Sequence, residues 1–109
     1  MLLKTIYYEN DVQHIIIKIK YNSIIIGLLH GIIENNSCNI NSLNVNGNYQ
    51  NNGYGSIILH HLIEYCINNQ IKYITLDDMS DRFNQKNNIY LKFGFTYIHY
   101  GFPEMKLNI

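Results

Sequence analysis

Apolar positions along this chain keep two different rhythms. Between His14 and Lys20 they alternate, with Ile15, Ile17 and Ile19 on one parity and His14, Lys18 and Lys20 on the other. A period of two sends successive side chains to opposite faces, so the segment is predicted as a half-buried strand. Leu2–Tyr8 reads as a strand before it, with Glu9-Asn10-Asp11 as the polar turn between them. Ile24–Glu34 is β-branched and apolar nearly throughout, as a central strand would be. Tyr21-Asn22-Ser23 fits the hairpin turn that precedes it, and Glu34-Asn35-Asn36-Ser37 turns the chain again.

The next strand changes phase. Cys38 and Ile40 share one parity, Leu43 and Val45 the other. One extra residue in a strand, a β-bulge, produces that slip. A bulge here would bend the strand from a parallel neighbour and expose its backbone N–H and C=O groups. From Gly55 to Asn69 the rhythm becomes helical, with Ile58, Leu59, Leu62, Ile63, Cys66 and Ile67 on one broad face. Asn68-Asn69 suit a left-handed helix end. Ile71–Asp77 is predicted as a strand and Asn84–Phe93 as a short helix capped by Gly94. Phe95–Tyr100 and Met105–Ile109 follow as two strands around Gly101-Phe102-Pro103-Glu104. The predicted order is β-β-β-β-α-β-α-β-β.

Composition narrows the function classes. The 109 residues fit one domain, 1–109, large enough for a single core. Formal net charge is zero and charged residues are 15%, with no basic patch, so no nucleic-acid partner is expected. Cys38 and Cys66 are too few for a disulfide framework, which fits a reducing compartment. His60 and His61 are adjacent and would leave a helix on different sides, so no metal is expected. The N-terminus lacks a signal pattern and no apolar run reaches membrane length. A cytoplasmic protein with no membrane partner is therefore expected. Asn and Ile are abundant and Ala is missing, a bias that AT-rich coding would give and that says nothing about mechanism.

The segment Tyr49-Gln50-Asn51-Asn52-Gly53-Tyr54-Gly55-Ser56 joins the fourth strand to the long helix. A glycine loop entering a helix leaves backbone N–H groups without intrahelical partners. With the positive end of the helix dipole, those donors suit phosphate oxygens. Gly53 and Gly55 allow a close approach that a Cβ would obstruct. An ordinary turn and helix cap would also account for the loop alone.

The pattern Gln-x-x-Gly-x-Gly at Gln50–Gly55 is followed, one helix and one strand later, by Tyr90-Leu91-Lys92-Phe93-Gly94-Phe95. In this order the chain resembles the GCN5-related N-acetyltransferase (GNAT) superfamily, over about residues 43–100. The resemblance implies an α+β fold of the three-layer acyl-CoA N-acyltransferase type, with a mixed central sheet and splayed strands. It implies acetyl-CoA as co-substrate and a primary amine as acceptor: a small amine, a polyamine or a protein amine.

By the same resemblance, Gln50, Asn51, Asn52, Gly53, Tyr54, Gly55 and Ser56 would hold the coenzyme A pyrophosphate. Leu43, Asn44 and Val45 would receive the pantetheine arm, and a backbone N–H near Asn44 or Val45 would meet the thioester oxygen. Tyr90 would protonate the leaving thiolate. Asp77, directly after Leu76, is the first choice for the base, with Asp78 second and Glu34 third. An Asn at the start of the second helix commonly contacts coenzyme A. Asn84 is one residue from that place. His30 and His61 read as ordinary core or surface histidines.

One departure stands out. The superfamily usually carries two helices between its first strands, where Tyr8–His14 leaves only a turn. That would open the acceptor side or leave it to a second subunit, and the final strands, as expected edges, would be the contact of a homodimer. A non-catalytic acyl-CoA-binding or protein-interaction module on the same fold is the alternative reading, and a structural dimer whose glycine loop is only a turn is a third.

Overall fold

The computed structural model describes residues 1–50, 52–78, 88–99 and 101–109. Strands β1 (Leu2–Glu9), β2 (Val12–Tyr21), β3 (Ile24–Glu34) and β4 (Ser37–Val45) form an antiparallel meander. Its three turns place Asn10-Asp11, Asn22-Ser23 and Asn35-Asn36 at φ between 50° and 68°. Positive φ at both central residues is the type I′ geometry, whose twist matches that of paired strands. Asparagine tolerates this region better than other residues with a Cβ, so the Asn-rich turns fix the register.

A 3₁₀ turn (Gly47–Tyr49) leads into helix α1 (Tyr54–Asn68), which crosses to β5 (Tyr73–Asp77), parallel to β4. Helix α2 (Ile89–Lys92), β6 (Thr96–Tyr97) and β7 (Glu104–Asn108) complete the order foreseen above. The sheet runs β1-β2-β3-β4-β5-β7-β6. Because β7 inserts between β5 and β6, it is no edge. The edges are β1 and the two-residue β6. The strand expected over 95–100 is thus shortened, although the Ile98 N–H still donates to the Glu104 carbonyl at 3.0 Å. The left-handed residue after α1 is Gln70, at φ 60°, while Asn69 stays at −111°. The N-terminal part of the helix expected over 84–93 lies outside the described residues, as does Asn51.

Helix α1 covers the face made by Ile15, Ile17, Leu29, Cys38, Ile40, Ile74, Leu76 and Met105, and buries Ile58, Leu59, Leu62 and Cys66 against it. Burying each aliphatic side chain contributes about 1.5–3 kcal/mol. Gly27 lets the helix sit close, since a Cβ there would stand 2.8 Å from Ile58 Cδ1. Cys38 and Cys66 meet in this core. The hydrogen bond to Cys66, with burial behind it, pushes the Cys38 thiol well above its ordinary range. The opposite face shows Tyr7, His14, Ile16, Lys18, His30 and Ile32, each only partly buried. Asn10-Asp11 alone joins β1 to β2, so no helix precedes β2 on that side.

Candidate active site

The phase slip in β4 is a bulge at Asn41. His30 pairs with Ser42 and Gly31 with Ile40, leaving Asn41 extra. Pairing with β5 ends at Ile40 and Leu76, one residue before the bulge, and the two parallel strands part from there. The Asn46 N–H donates back to the Ile26 carbonyl of β3 at 2.7 Å. Alternation along the strand then turns the Asn44 backbone toward β3 and that of Leu43 and Val45 away from it. The Val45 carbonyl accepts Gln50 Nε2 at 3.1 Å. The Leu43 N–H and C=O and the Val45 N–H therefore face the opening. Of the two oxyanion donors considered, Val45 is the better aimed.

The glycine loop closes one end of this opening. Gly53 is the N-cap of α1, at φ +83° with no side-chain cap, and the first helical bond runs from the Ile57 N–H to the Gly53 carbonyl. Tyr54, Gly55 and Ser56 thus present first-turn N–H groups. They line a cleft of about 260 Å³ with Val45, Tyr49, Gln50, Gly53 and Ile89. A Cβ on Gly53 would meet no atom within 4 Å, and one on Gly55 would touch Ile89 Cδ1 at 3.4 Å. Asn52 Nδ2 instead braces the loop by donating to the Tyr49 carbonyl at 3.3 Å.

Helix α2 forms the far wall. Gly94, at φ +97°, ends it, and the Phe95 N–H returns to the Tyr90 carbonyl at 3.0 Å. The Tyr90 ring packs edge-on to Phe95. Burial, and after it the negative charge of Asp78, pushes the Tyr90 hydroxyl up to about 12. Tyr90 therefore keeps its proton throughout the neutral range. A thiol ordinarily titrates at about 8.5, so complete proton transfer to a thiolate would be uphill for it. A hydrogen bond donated to the developing thiolate carries no such penalty.

The two aspartates after Leu76 have different surroundings. Asp77 is exposed, and opposite Glu104 in the register it points to the face away from α1. Asp78 is 5% exposed and accepts from Asn88 Nδ2 at 2.6 Å and from the Tyr97 hydroxyl at 3.0 Å. Glu34 is exposed at the end of β3, remote from the cleft-lining residues in the fold. Asn84 lies outside the described residues.

Three features escaped the sequence reading. Asn88 caps α2, its Oδ1 accepting the Leu91 N–H at 3.1 Å; its place two residues before Tyr90 was the available signal. Tyr97 carried no signal, being one of ten tyrosines. His14 and His30 are bonded to each other, Nδ1 to Nε2 at 2.9 Å, and His30 Nδ1 lies 3.3 Å from Asn41 Nδ2. A second bulge at Ile26 shifts the β2–β3 register, so the pairing could not be counted from the turn. Among the described residues no group of three or more His, Cys, Asp or Glu could hold a metal ion, and no helix is long and apolar enough to cross a membrane.

A family model described as "Acetyltransferase (GNAT) family" matches residues 2–95. No curated protein matches the sequence. Among solved structures, the ribosomal-protein-S18-alanine N-acetyltransferase from Escherichia coli superposes with a TM-score of 0.75 at 17% identity, over 88% of this chain and 69% of that one. An acetyltransferase from Bacillus cereus gives 0.76 at 21% identity, over 90% and 74%. The PaiA N-acetyltransferase from Thermoplasma acidophilum, solved with coenzyme A, gives 0.75 at 16% identity, over 88% and 61%. These similarities establish the acyl-CoA N-acyltransferase fold.

Proposed function

The chain belongs to the acetyltransferase (GNAT) family, a family of enzymes, and from that membership we propose that it moves an acetyl group from acetyl-CoA to a primary amine. One observation carries the reading: the end of β4, beyond its parting from β5, and the uncapped first turn of α1 line one cleft. The first-turn N–H groups of Tyr54, Gly55 and Ser56 would hold the pyrophosphate, with Gln50 and Asn52 bracing the loop. The Leu43 and Val45 backbone would pair with the pantetheine arm, and one of their N–H groups would stabilise the oxyanion. Tyr90 would support the leaving sulfur.

Acetylation of an ammonium removes two protons from nitrogen: one before attack, and one that ends on the thiol. Tyr90 serves the second. Asp77, exposed at the end of β5, would hold the ammonium by its charge while the first proton leaves. Asp77 and Glu104 stand opposite each other on one face, and that pair of carboxylates favours a cationic acceptor such as a polyamine or a lysine amine. The exposed edge β1 and the partly apolar open sheet face further support a homodimer.

Incubation with acetyl-CoA and separate amines (a polyamine, a lysine peptide, a peptide with a free N-terminus) tests the reading by product mass. One added acetyl group on an amine is the expected product. Coenzyme binding with no acetylated amine would instead favour a non-catalytic acyl-CoA-binding module.

A further inference from the structure

A row of side chains crosses four strands on the face opposite α1. The Tyr7 ring stacks on His14 at 4.7 Å and 9°, and the His14 and His30 rings lie edge to edge, 11° from parallel with centroids 5.2 Å apart. The two imidazoles share a 2.9 Å hydrogen bond, and His30 Nδ1 reaches Asn41 at 3.3 Å. Asn41 is the bulge residue, adjacent to Ile40, the last residue of β4 paired with β5. The row therefore ends at the point where the strands part.

The direction of approach gives this place its meaning. A carbonyl carbon held between the parted strands is closed off on the α1 side, where Ile58, Leu59 and Leu62 are fully buried. An amine must come from the opposite face. There Asp77 stands on one lip of the opening and the Asn41–His30 contact on the other.

We propose that His30, backed by His14, accepts the proton that the incoming ammonium must lose before attack. The proposal rests on the acetyltransferase reading above. Asn41 holds Nδ1 weakly, at 3.3 Å and in an exposed position, so the ammonium or a bridging water displaces it. As Nδ1 takes this proton, the proton on His30 Nε2 passes along the 2.9 Å bond to His14 Nδ1, and His14 Nε2 releases its own to solvent. One proton enters and one leaves, and both rings end neutral with their tautomers reversed. Imidazole suits the task because it exchanges protons near neutral pH. The other titratable side chains that the described strands place on this face are Tyr7 and Glu9 on β1, Lys18 and Lys20 on β2, Glu34 on β3, Tyr73 and Asp77 on β5, and Glu104 and Lys106 on β7.

The test uses the best amine acceptor. His30→Gln keeps a polar group beside Asn41 and His14 but cannot take up a proton. Its kcat/KM for the amine should fall by roughly 10²–10⁴, the range of a positioned base. Affinity for acetyl-CoA should be unchanged, and the acidic limb of the pH–rate profile should be lost. Added imidazole should restore part of the rate of His30→Gly. In the resting protein, ¹⁵N imidazole spectra should show a through-bond coupling across the His30 Nε2–His14 Nδ1 hydrogen bond, a readout independent of turnover. Absence of that coupling, or an active wild type whose His30→Gln variant keeps its rate and pH profile, would overturn the relay and leave the acetyltransferase reading intact. A wild type that acetylates no amine would remove both.

Discussion

Asn88 Nδ2 lies 2.6 Å from Asp78 Oδ2, and this bond ties the end of β5 to the start of α2. The same carboxylate oxygen accepts the Tyr97 hydroxyl of β6. A four-residue helix has no stability of its own. Asn88 both caps α2 and anchors it, and Tyr90 sits two residues further on. One buried carboxylate thereby fixes the wall that carries the tyrosine.

Asp78→Ala should cost about 2–4 kcal/mol, since two donors lose a charged acceptor in a buried place. Asp78→Asn, which keeps an acceptor, should cost less. Urea unfolding measures both. A loss under about 0.5 kcal/mol for the alanine variant would show that the anchor is not needed.

Tyr90→Phe keeps the ring against Phe95 and removes only the hydroxyl. Transfer should slow by roughly 10²–10⁴ while coenzyme affinity holds. The raised pKa adds a stability signature. The folded state holds the Tyr90 proton more tightly than the unfolded chain, so this contribution is complete below pH 10 and is lost as pH rises toward 12. Tyr90→Phe should flatten that alkaline decline in unfolding free energy. An undiminished rate would make Tyr90 a packing residue.

Gly55→Val avoids the left-handed strain of Gly53; its Cβ would meet Ile89 Cδ1 at 3.4 Å and Val45 Cγ2 at 3.8 Å, and two methyl groups follow it. They would occupy the cleft mouth, so calorimetry should show coenzyme A affinity reduced at least about tenfold with the unfolding midpoint nearly kept. Gly53→Val should lose binding too, with an added fold penalty of about 1 kcal/mol or more from its +83° φ. A folded Gly55→Val protein with wild-type affinity would put the pyrophosphate elsewhere.

Sedimentation velocity at high micromolar concentration should give a dimer. A Lys introduced at Thr5, midway along the edge strand β1, should weaken it. A monomer throughout would mean that the open sheet face is tolerated in water.

Period-two and helical spacing made the element order legible, and even the Asn41 bulge could be read, because a bulge leaves a mark in parity. The extents of β6 and α2 were not legible. They depend on Asp78, Asn88 and Tyr97 meeting across the fold, and no local pattern encodes that contact. The glycine loop could be read because the donors proposed for it are backbone N–H groups. Asp77 and Asp78 could not be told apart, since their difference, one exposed and one enclosed, arises only where β5 ends beside Pro103, whose carbonyl receives the Asp78 N–H. The His14–His30 bond was hidden for a similar reason: two bulges set the registers that bring His14, His30 and Asn41 together.

The central claim is that coenzyme A lies between the parted strands with its pyrophosphate on the first turn of α1. Backbone amide ¹⁵N–¹H spectra recorded through a coenzyme A titration test it most directly. The amides of Val45, Gly53, Tyr54, Gly55 and Ser56 should shift together and saturate, while those of β1 stay still. Saturable shifts centred elsewhere, or none at all at millimolar coenzyme, would contradict it.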